Sequence, residues 1–221
     1  MAGEKTLCIP GWATDWRIFC DSADMARQGW DSTLRLGSGT VSPLFIPKHP
    51  RLEGEDVFYL NHADPNDMPT LIALLAESPV KWHLVGFSLG GFMAHDLARQ
   101  VPHKVASLTL IGIREQYPPA LCRAMQRQLR QNKTQLLQDF WQTAFGDSGD
   151  RCAEAYEADV LSRGLDYLAG YVWEPGAFVF PVTCVHGDAD AIAPLSEARC
   201  LAEKHNWEWR VVVGGHGILK G

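Results

Sequence analysis

The segment His83 to Gln100, HLVGFSLGGFMAHDLARQ, constrains this chain more than any other. An apolar run, KWHLVGF, has the character of a strand buried on both faces. From Gly90 to Gln100 the spacing is helical, with Phe92, Met93, Leu97 and Leu89 on one face, and Pro102 stops the helix. A strand that runs straight into a helix needs a sharp turn. The residue at that turn is held in a strained backbone conformation with its side chain presented outward. Its neighbours two positions away on each side must be small, or their Cβ atoms would strike the strand and the helix. Gly86 and Gly90 meet that need around Ser88, in the spacing G-x-S-x-G. Ser88 is therefore a candidate nucleophile, and the bland reading is a small residue at a tight turn.

The rest of the chain supplies a matching scaffold. KTLCIP near the start is a first strand, and KVASLTLIGI, PVTCVHG and WRVVVGG follow as later ones. PLFIP and DVFYL are strand candidates whose place in the sheet is open. MPTLIALLAE, residues 68–77, has helical spacing with a proline near its start. Alternating strands and helices imply an α/β fold with a mostly parallel central sheet covered by helices on both faces. Between the strands ending near 113 and starting near 178 the pattern turns almost wholly helical: PPALCRAMQRQLRQ, KTQLLQDFWQTAF and CAEAYEADVLSRGLDYLAGYV. The expected organisation is a core of residues 1–113 and 178–221 with a helical cap insertion at 114–177. Such an insertion covers the carboxyl ends of the strands, where ligands bind in open α/β sheets.

Composition narrows the function classes. A chain of 221 residues is enough for one domain with a full core. The net charge of −6 disfavours nucleic acid, whose binding needs a basic face. No apolar run approaches the roughly 18 residues of a membrane helix. The apolar stretch near Met1 is too short for the core of a signal peptide, which places the protein in the cytoplasm. The six cysteines (Cys8, Cys20, Cys122, Cys152, Cys184, Cys200) lack C-x-x-C spacing and read as thiols. No zinc-type ligand spacing occurs, so neither metal nor cofactor is expected.

A serine hydroxyl is a poor nucleophile without a base, and the base is oriented by a carboxylate. Of the eight histidines, His83 falls inside a strand and His95 inside a helix, which makes both structural. His103 and His205 follow helices and read as solvated, and His49 and His62 lie in loops before the nucleophile. His216 comes directly after the last strand between Gly215 and Gly217, in a loop free to reach Ser88. The carboxylate should follow another strand, and PVTCVHGDADAIAP offers Asp188 and Asp190. The spacing G-x-x-D, with Pro194 four residues on, favours Asp190. The N–H of Leu89, at the positive end of the helix, is a natural oxyanion donor. A second donor is the N–H of Trp12, in the loop after the first strand. Trp12, Trp16 and Phe87 are candidate pocket walls, and Phe140 in the insertion is a further substrate contact.

PGWATDW, LVGFSLGG, HGDADAIAP and GGHGIL together resemble the landmarks of the α/β-hydrolase superfamily, over about residues 5–218. Within it the chain is similar to the BioH-type carboxylesterases, which hydrolyse the methyl ester of pimeloyl-acyl carrier protein in biotin synthesis. The echoes are GW…W after the first strand, LQDFWQTAFG in the insertion and ADVLSRGLDYLAGYV at its end. The resemblance implies a serine carboxylesterase with Ser88, His216 and Asp190 as its triad, and Trp12 and Leu89 as oxyanion donors. There are departures. The family has His-Gly-Trp where this chain has Pro10-Gly11-Trp12. A helix usually follows the catalytic histidine, whereas five residues follow His216 here. The Asp-x-x-Gly-x-Gly loop is not visible, which leaves residues 35–67 the least understood.

Arg123, Arg127 and Arg130 share one helix face. With Arg114 and Lys133 they make a basic stretch on an acidic protein. This face is either simply solvated or a dock for an acidic partner such as an acyl carrier protein. The same triad would also serve a thioesterase, an acyltransferase or a C–C hydrolase, and a hydrolase fold can be a non-catalytic ligand binder.

Overall fold

The computed structural model describes residues 4–19, 33–34, 44–45, 56–146, 151–174 and 178–218, with only the backbone at 16, 33–34, 44–45 and 56. His49, Cys20, the Trp16 side chain and most of the segment 35–55 lie outside the described residues. The strands are β1 (Lys5–Ile9), β2 (Thr33–Leu34), β3 (Leu44–Phe45), β4 (Asp56–Leu60), β5 (Trp82–Phe87), β6 (Val105–Ile111), β7 (Val182–Gly187) and β8 (Glu208–Val212). They form one sheet in the order β2-β3-β4-β1-β5-β6-β7-β8. The pairs from β4 through β8 are parallel, and β2 and β3 join antiparallel at the β4 edge. Both open candidates, PLFIP and DVFYL, thus contribute strands, while Thr33–Leu34 carried no sequence signal.

Side chains alternate across a strand, and the core follows that period. Leu7, Ile9, Leu84, Leu108, Leu110 and Cys184 point to one face and are fully buried. On that face pack α1 (Met68–Glu77), α2 (Leu89–Gln100) and α5 (Leu195–Lys204), through residues such as Leu71, Leu75, Phe92, Leu97 and Leu201. The opposite face carries two smaller clusters. One holds Cys8, Val57 and Tyr59, and the other Ile18, Phe87 and Ile111. Sequence periodicity suggests β5 is buried on both faces, yet His83 and Val85 remain partly exposed. Along β8, Val211 and Val212 are exposed, and Val213 beyond its end is 93% exposed.

Between β6 and β7 come α3 (Pro119–Phe145) and α4 (Ala158–Gly170). α3 is two helices joined at Asn132, whose backbone is non-helical (φ −157°, ψ 82°). The Asn132 side chain accepts the Gln135 N–H at 3.1 Å and caps the second half. The segment 152–172, expected as one helix, is helical only over α4. Glu157 is extended, so a single 3-10 turn, Ala153–Ala155, stands apart before it. Helix α5 begins just after Pro194, ahead of an amphipathic run.

Side chains bolt the inserted helices to the core. Trp12 Nε1 donates to Leu161 O and Trp141 Nε1 to Ala13 O, each at 2.8 Å. Tyr156 donates to Asp15, Tyr167 to Asp96, and Arg163 grips Asp64 with two nitrogens. Trp173 Nε1 donates to Arg114 O at 3.0 Å. No helix among the described residues is long and apolar enough to cross a membrane.

Candidate active site

The turn between β5 and α2 has the geometry its sequence demands. Ser88 sits at φ 52°, ψ −120°, a left-handed conformation costly for a residue with a side chain. Two backbone hydrogen bonds hold it there: Ser88 N–H to Ile111 O and Gly91 N–H to Ser88 O, both 2.8 Å. A Cβ on Gly90 would collide with the carbonyl oxygens of Ile9 and Pro10, and one on Gly86 with the Gly90 backbone. The two glycines therefore let β1, β5 and α2 meet at a single point. Gly11, in the loop after β1, lies against Ser88 itself: a Cβ there would come within 3.0 Å of the Ser88 Cβ. The first N–H groups of any helix have no partner inside it, and that of Leu89 comes directly after Ser88.

His216 and Asp190 meet as the sequence order suggests. His216 Nδ1 donates to Asp190 Oδ2 at 2.7 Å, with both side chains fully buried. The other oxygen of Asp190 accepts the N–H groups of Ile192 and Ala193, each at 2.8 Å. Burial by itself would raise the pKa of this carboxyl. The hydrogen bond and charge of His216, and then the two backbone donors, outweigh burial and hold it below the usual range. Asp188 does a different job. It accepts the Gly214 N–H at 2.9 Å and ties the loop carrying His216 to the end of β7. The imidazole is backed by the Phe87 ring at 4.9 Å and by Gly112, where a Cβ would come within 3.2 Å of Nδ1. Gly217 N–H reaches Ala144 O at 3.0 Å, linking this loop to the end of α3.

His216 Nε2 is buried and has no hydrogen-bond partner. Tyr117, a buried residue in the loop after β6, lies near Ser88. Tyr117 carries no motif, and only tertiary structure brings it here. A second residue missed in the sequence is His186, on β7. Its Nε2 donates to Ala193 O at 2.7 Å and stands 3.5 Å from Asp190 Oδ2, so it braces the turn that presents the carboxylate.

The other expected residues are placed differently. Phe87 is fully buried against Ile18, Ile111 and His216, behind the imidazole rather than in a cavity wall. Phe140 is partly buried and meets the Trp12 ring edge-on at 5.0 Å. Trp12 borders a cavity of ≈ 870 Å³ that also touches Gly11, His62, Asp64, Tyr156 and Arg163. The cavity lies between the β4–α1 turn and α4, and Gly11 connects its wall to Ser88. His62 is thus a cavity residue, and His205 is half-buried against Trp207 rather than solvated. Arg123, Arg127 and Arg130 are exposed on α3. Arg114 and Lys133 do not extend that face: Arg114 is paired with Glu197 and Lys133 donates to Tyr156 O. Among the described residues no three His, Cys, Asp or Glu side chains gather as a metal site.

Comparison with known proteins bears on this arrangement. The family model described as alpha/beta hydrolase fold matches residues 50–220. A pimeloyl-[acyl-carrier protein] methyl ester esterase of Aromatoleum aromaticum is 32% identical over 161 residues, 60% of this chain. The match spans 64% of that relative's length. Among solved structures, a thermophilic esterase from Thermogutta terrifontis superposes with a TM-score of 0.69 at 16% identity, over 98% of this chain and 84% of that one. A hydrolase from Pseudomonas aeruginosa gives 0.69 at 13% identity, over 97% and 83%. At such identities these two likenesses speak for the fold alone.

Proposed function

This chain belongs to the alpha/beta hydrolase family, and on that premise we propose that it is a serine carboxylesterase with Ser88, His216 and Asp190 as its triad. The observation that carries the proposal is the buried Asp190–His216 pair beside a serine held at φ 52°. Because Nδ1 donates to Asp190, the neutral imidazole keeps its lone pair on Nε2, the unpartnered nitrogen. The reaction needs the Ser88 hydroxyl turned toward Nε2. His216 then removes the proton as the serine oxygen attacks the ester carbonyl. The anionic Asp190 stabilises the imidazolium, and the N–H groups of Leu89 and Trp12 receive the oxyanion. The imidazolium protonates the departing alcohol, and water releases the acyl group in a second cycle. Residues 114–177 form a cap over this site.

Ser88→Ala is expected to lower kcat on p-nitrophenyl acyl esters by about 10⁶-fold, with no acyl adduct detectable by mass spectrometry. Undiminished hydrolysis by that variant would show that another residue is the nucleophile. Methyl, p-nitrophenyl and thioester substrates of graded acyl length then define the leaving group and chain.

The finer proposal follows the relative from Aromatoleum: a methyl ester of a pimeloyl chain presented by an acyl carrier protein, in biotin synthesis. The exposed Arg123, Arg127 and Arg130 support an acidic partner on α3, attracted over long range and weakened by salt. Reversing Arg127 and Arg130 to glutamate should cut kcat/KM for carrier-bound ester at least tenfold and spare small esters. Equal losses on both substrates would dispose of the docking face.

A further inference from the structure

Three hydrogen bonds hold the Asp190 carboxylate, and two of them come from its own turn. Oδ1 accepts the Ile192 and Ala193 N–H groups, each at 2.8 Å. Oδ2 accepts from Nδ1 of His216 at 2.7 Å. The turn is anchored in its place by His186 on β7. Nε2 of that ring donates to Ala193 O at 2.7 Å and stands 3.5 Å from Asp190 Oδ2. One imidazole thus spans both ends of the turn, the carboxylate and the Ala193 carbonyl. The ring is fully buried and stacks on Trp209 of β8 with centroids 5.8 Å apart. Burial, the largest influence, lowers the pKa of His186 and keeps the ring neutral. A carbonyl only accepts, so the single N–H sits on Nε2. Nδ1 is then a lone-pair acceptor, buried and without a hydrogen-bond partner. The bond made at Nε2 and the acceptor left bare at Nδ1 work against each other, so stability alone gives little reason for an imidazole here.

We propose that His186 is a positioning residue for the reaction: by holding Ala193 O it fixes the 190–193 turn and keeps Asp190 Oδ2 on Nδ1 of His216 while the base takes up its proton. This role rests on the serine-hydrolase reading and falls to a residue outside the triad. The step it serves is the attack on the ester. The Ser88 O–H bond breaks, the oxygen forms its bond to the acyl carbon, and the proton passes to Nε2 of His216. The imidazolium so formed needs the carboxylate at bonding distance, because a displaced charge stabilises it less. The Asp190 contact therefore counts for more in the transition state than in the ground state, and its loosening is felt in kcat rather than KM. A displaced Asp190 also favours the imidazolium less in the free enzyme. The acidic limb of the kcat/KM profile, where the base becomes protonated, then moves to lower pH. The charged or titratable groups that act on His186 are Asp190 and His216.

The test pairs His186→Leu with His186→Gln, assayed on a p-nitrophenyl acyl ester across pH. Leucine fills the space without a donor, whereas the glutamine amide offers an N–H to Ala193 O. In His186→Leu, kcat should fall about tenfold with KM within about twofold, and the acidic limb should move down by about half a pH unit or more. His186→Gln should recover most of the rate and return the limb toward its wild-type place. A merely structural loss lowers the amount of active enzyme and leaves the limb where it was. An unmoved limb in His186→Leu therefore overturns the positioning role whatever happens to kcat, and so does an equal loss in both variants; the triad stands in either case. If the wild-type protein shows no Ser88-dependent hydrolysis, the serine-hydrolase reading fails first and takes this role with it. Should His186→Leu not fold, His186→Asn, too short to reach Ala193 O, takes its place under the same criteria.

Discussion

The turn at Ser88 and the inserted helices α3 and α4 are held in opposite ways. At the turn, backbone packs on backbone: Gly90 sits on the carbonyls of Ile9 and Pro10, and Gly86 on Gly90. There is no room for even one methyl group and no ionisable side chain in the joint. The inserted helices are fastened by indoles, phenols and one guanidinium reaching across, as in Trp141 to Ala13 and Tyr156 to Asp15. Close backbone contact leaves a single geometry, whereas long side chains hold a position that can yield one bond at a time. The setting of Ser88 is therefore rigid, and the inserted helices are latched.

That contrast can be broken first at the turn. Gly90→Ala pushes a Cβ into two carbonyl oxygens that cannot retreat without moving β1. It should cost about 3 kcal/mol or more in chemical denaturation and abolish esterase activity together. A near-wild-type Gly90→Ala protein would mean the joint is looser than described.

Trp141→Phe tests the latch. It leaves the Ala13 carbonyl without its donor and a smaller ring in a site where tryptophan is 1% exposed. A loss of about 2 kcal/mol is expected, with faster hydrogen exchange in α3 and unchanged exchange in α2. Uniform loosening of both helices would erase the distinction between the two regions. Tyr156→Phe removes only the hydrogen bond to Asp15 and should cost about 1 kcal/mol, read by the same two measurements.

Acid gives the smallest and most selective effect. Burial favours a raised pKa for Asp15, but its hydrogen bonds and pairing with Arg17, helped by Tyr156, hold it below 3.8. A depressed carboxyl stabilises fully above its unfolded value and loses that contribution as pH falls through the folded one. Asp64, paired with Arg163, is lowered in the same way. Below about pH 4, exchange in α4 should rise before exchange in β5 and α2, once intrinsic rates are corrected. Simultaneous loosening would assign the acid response to the core instead.

Much of the site was legible because its signals are local or fixed in order. Gly86, Ser88 and Gly90 lie within five positions, and the strand before them and the helix after them make that spacing a sharp strand-to-helix turn. The loops holding Asp190 and His216 follow strands, so the topology of a parallel sheet brings them to one end. Between Asp188 and Asp190 the spacing favoured the residue that the structure places on His216, and Asp188 turned out to hold Gly214. Phe87 was misjudged because adjacency in sequence does not say which face of a strand a residue takes: next to Ser88, it points behind the imidazole. The basic stretch from Arg114 to Lys133 shrank to Arg123, Arg127 and Arg130 for a related reason, since Glu197 and Tyr156, far along the chain, engage Arg114 and Lys133.

The sequence by itself determined the strand order of chemistry: a serine at a glycine-flanked turn, then a carboxylate, then a histidine, each after a strand. These depend on backbone sterics and short-range spacing, which a string of residues displays. Only tertiary structure decided what surrounds them: Phe87 behind the imidazole, the cavity beside Gly11, and the side chains that latch the inserted helices. Those contacts join residues tens to more than a hundred positions apart, and their geometry exists only once the chain has packed.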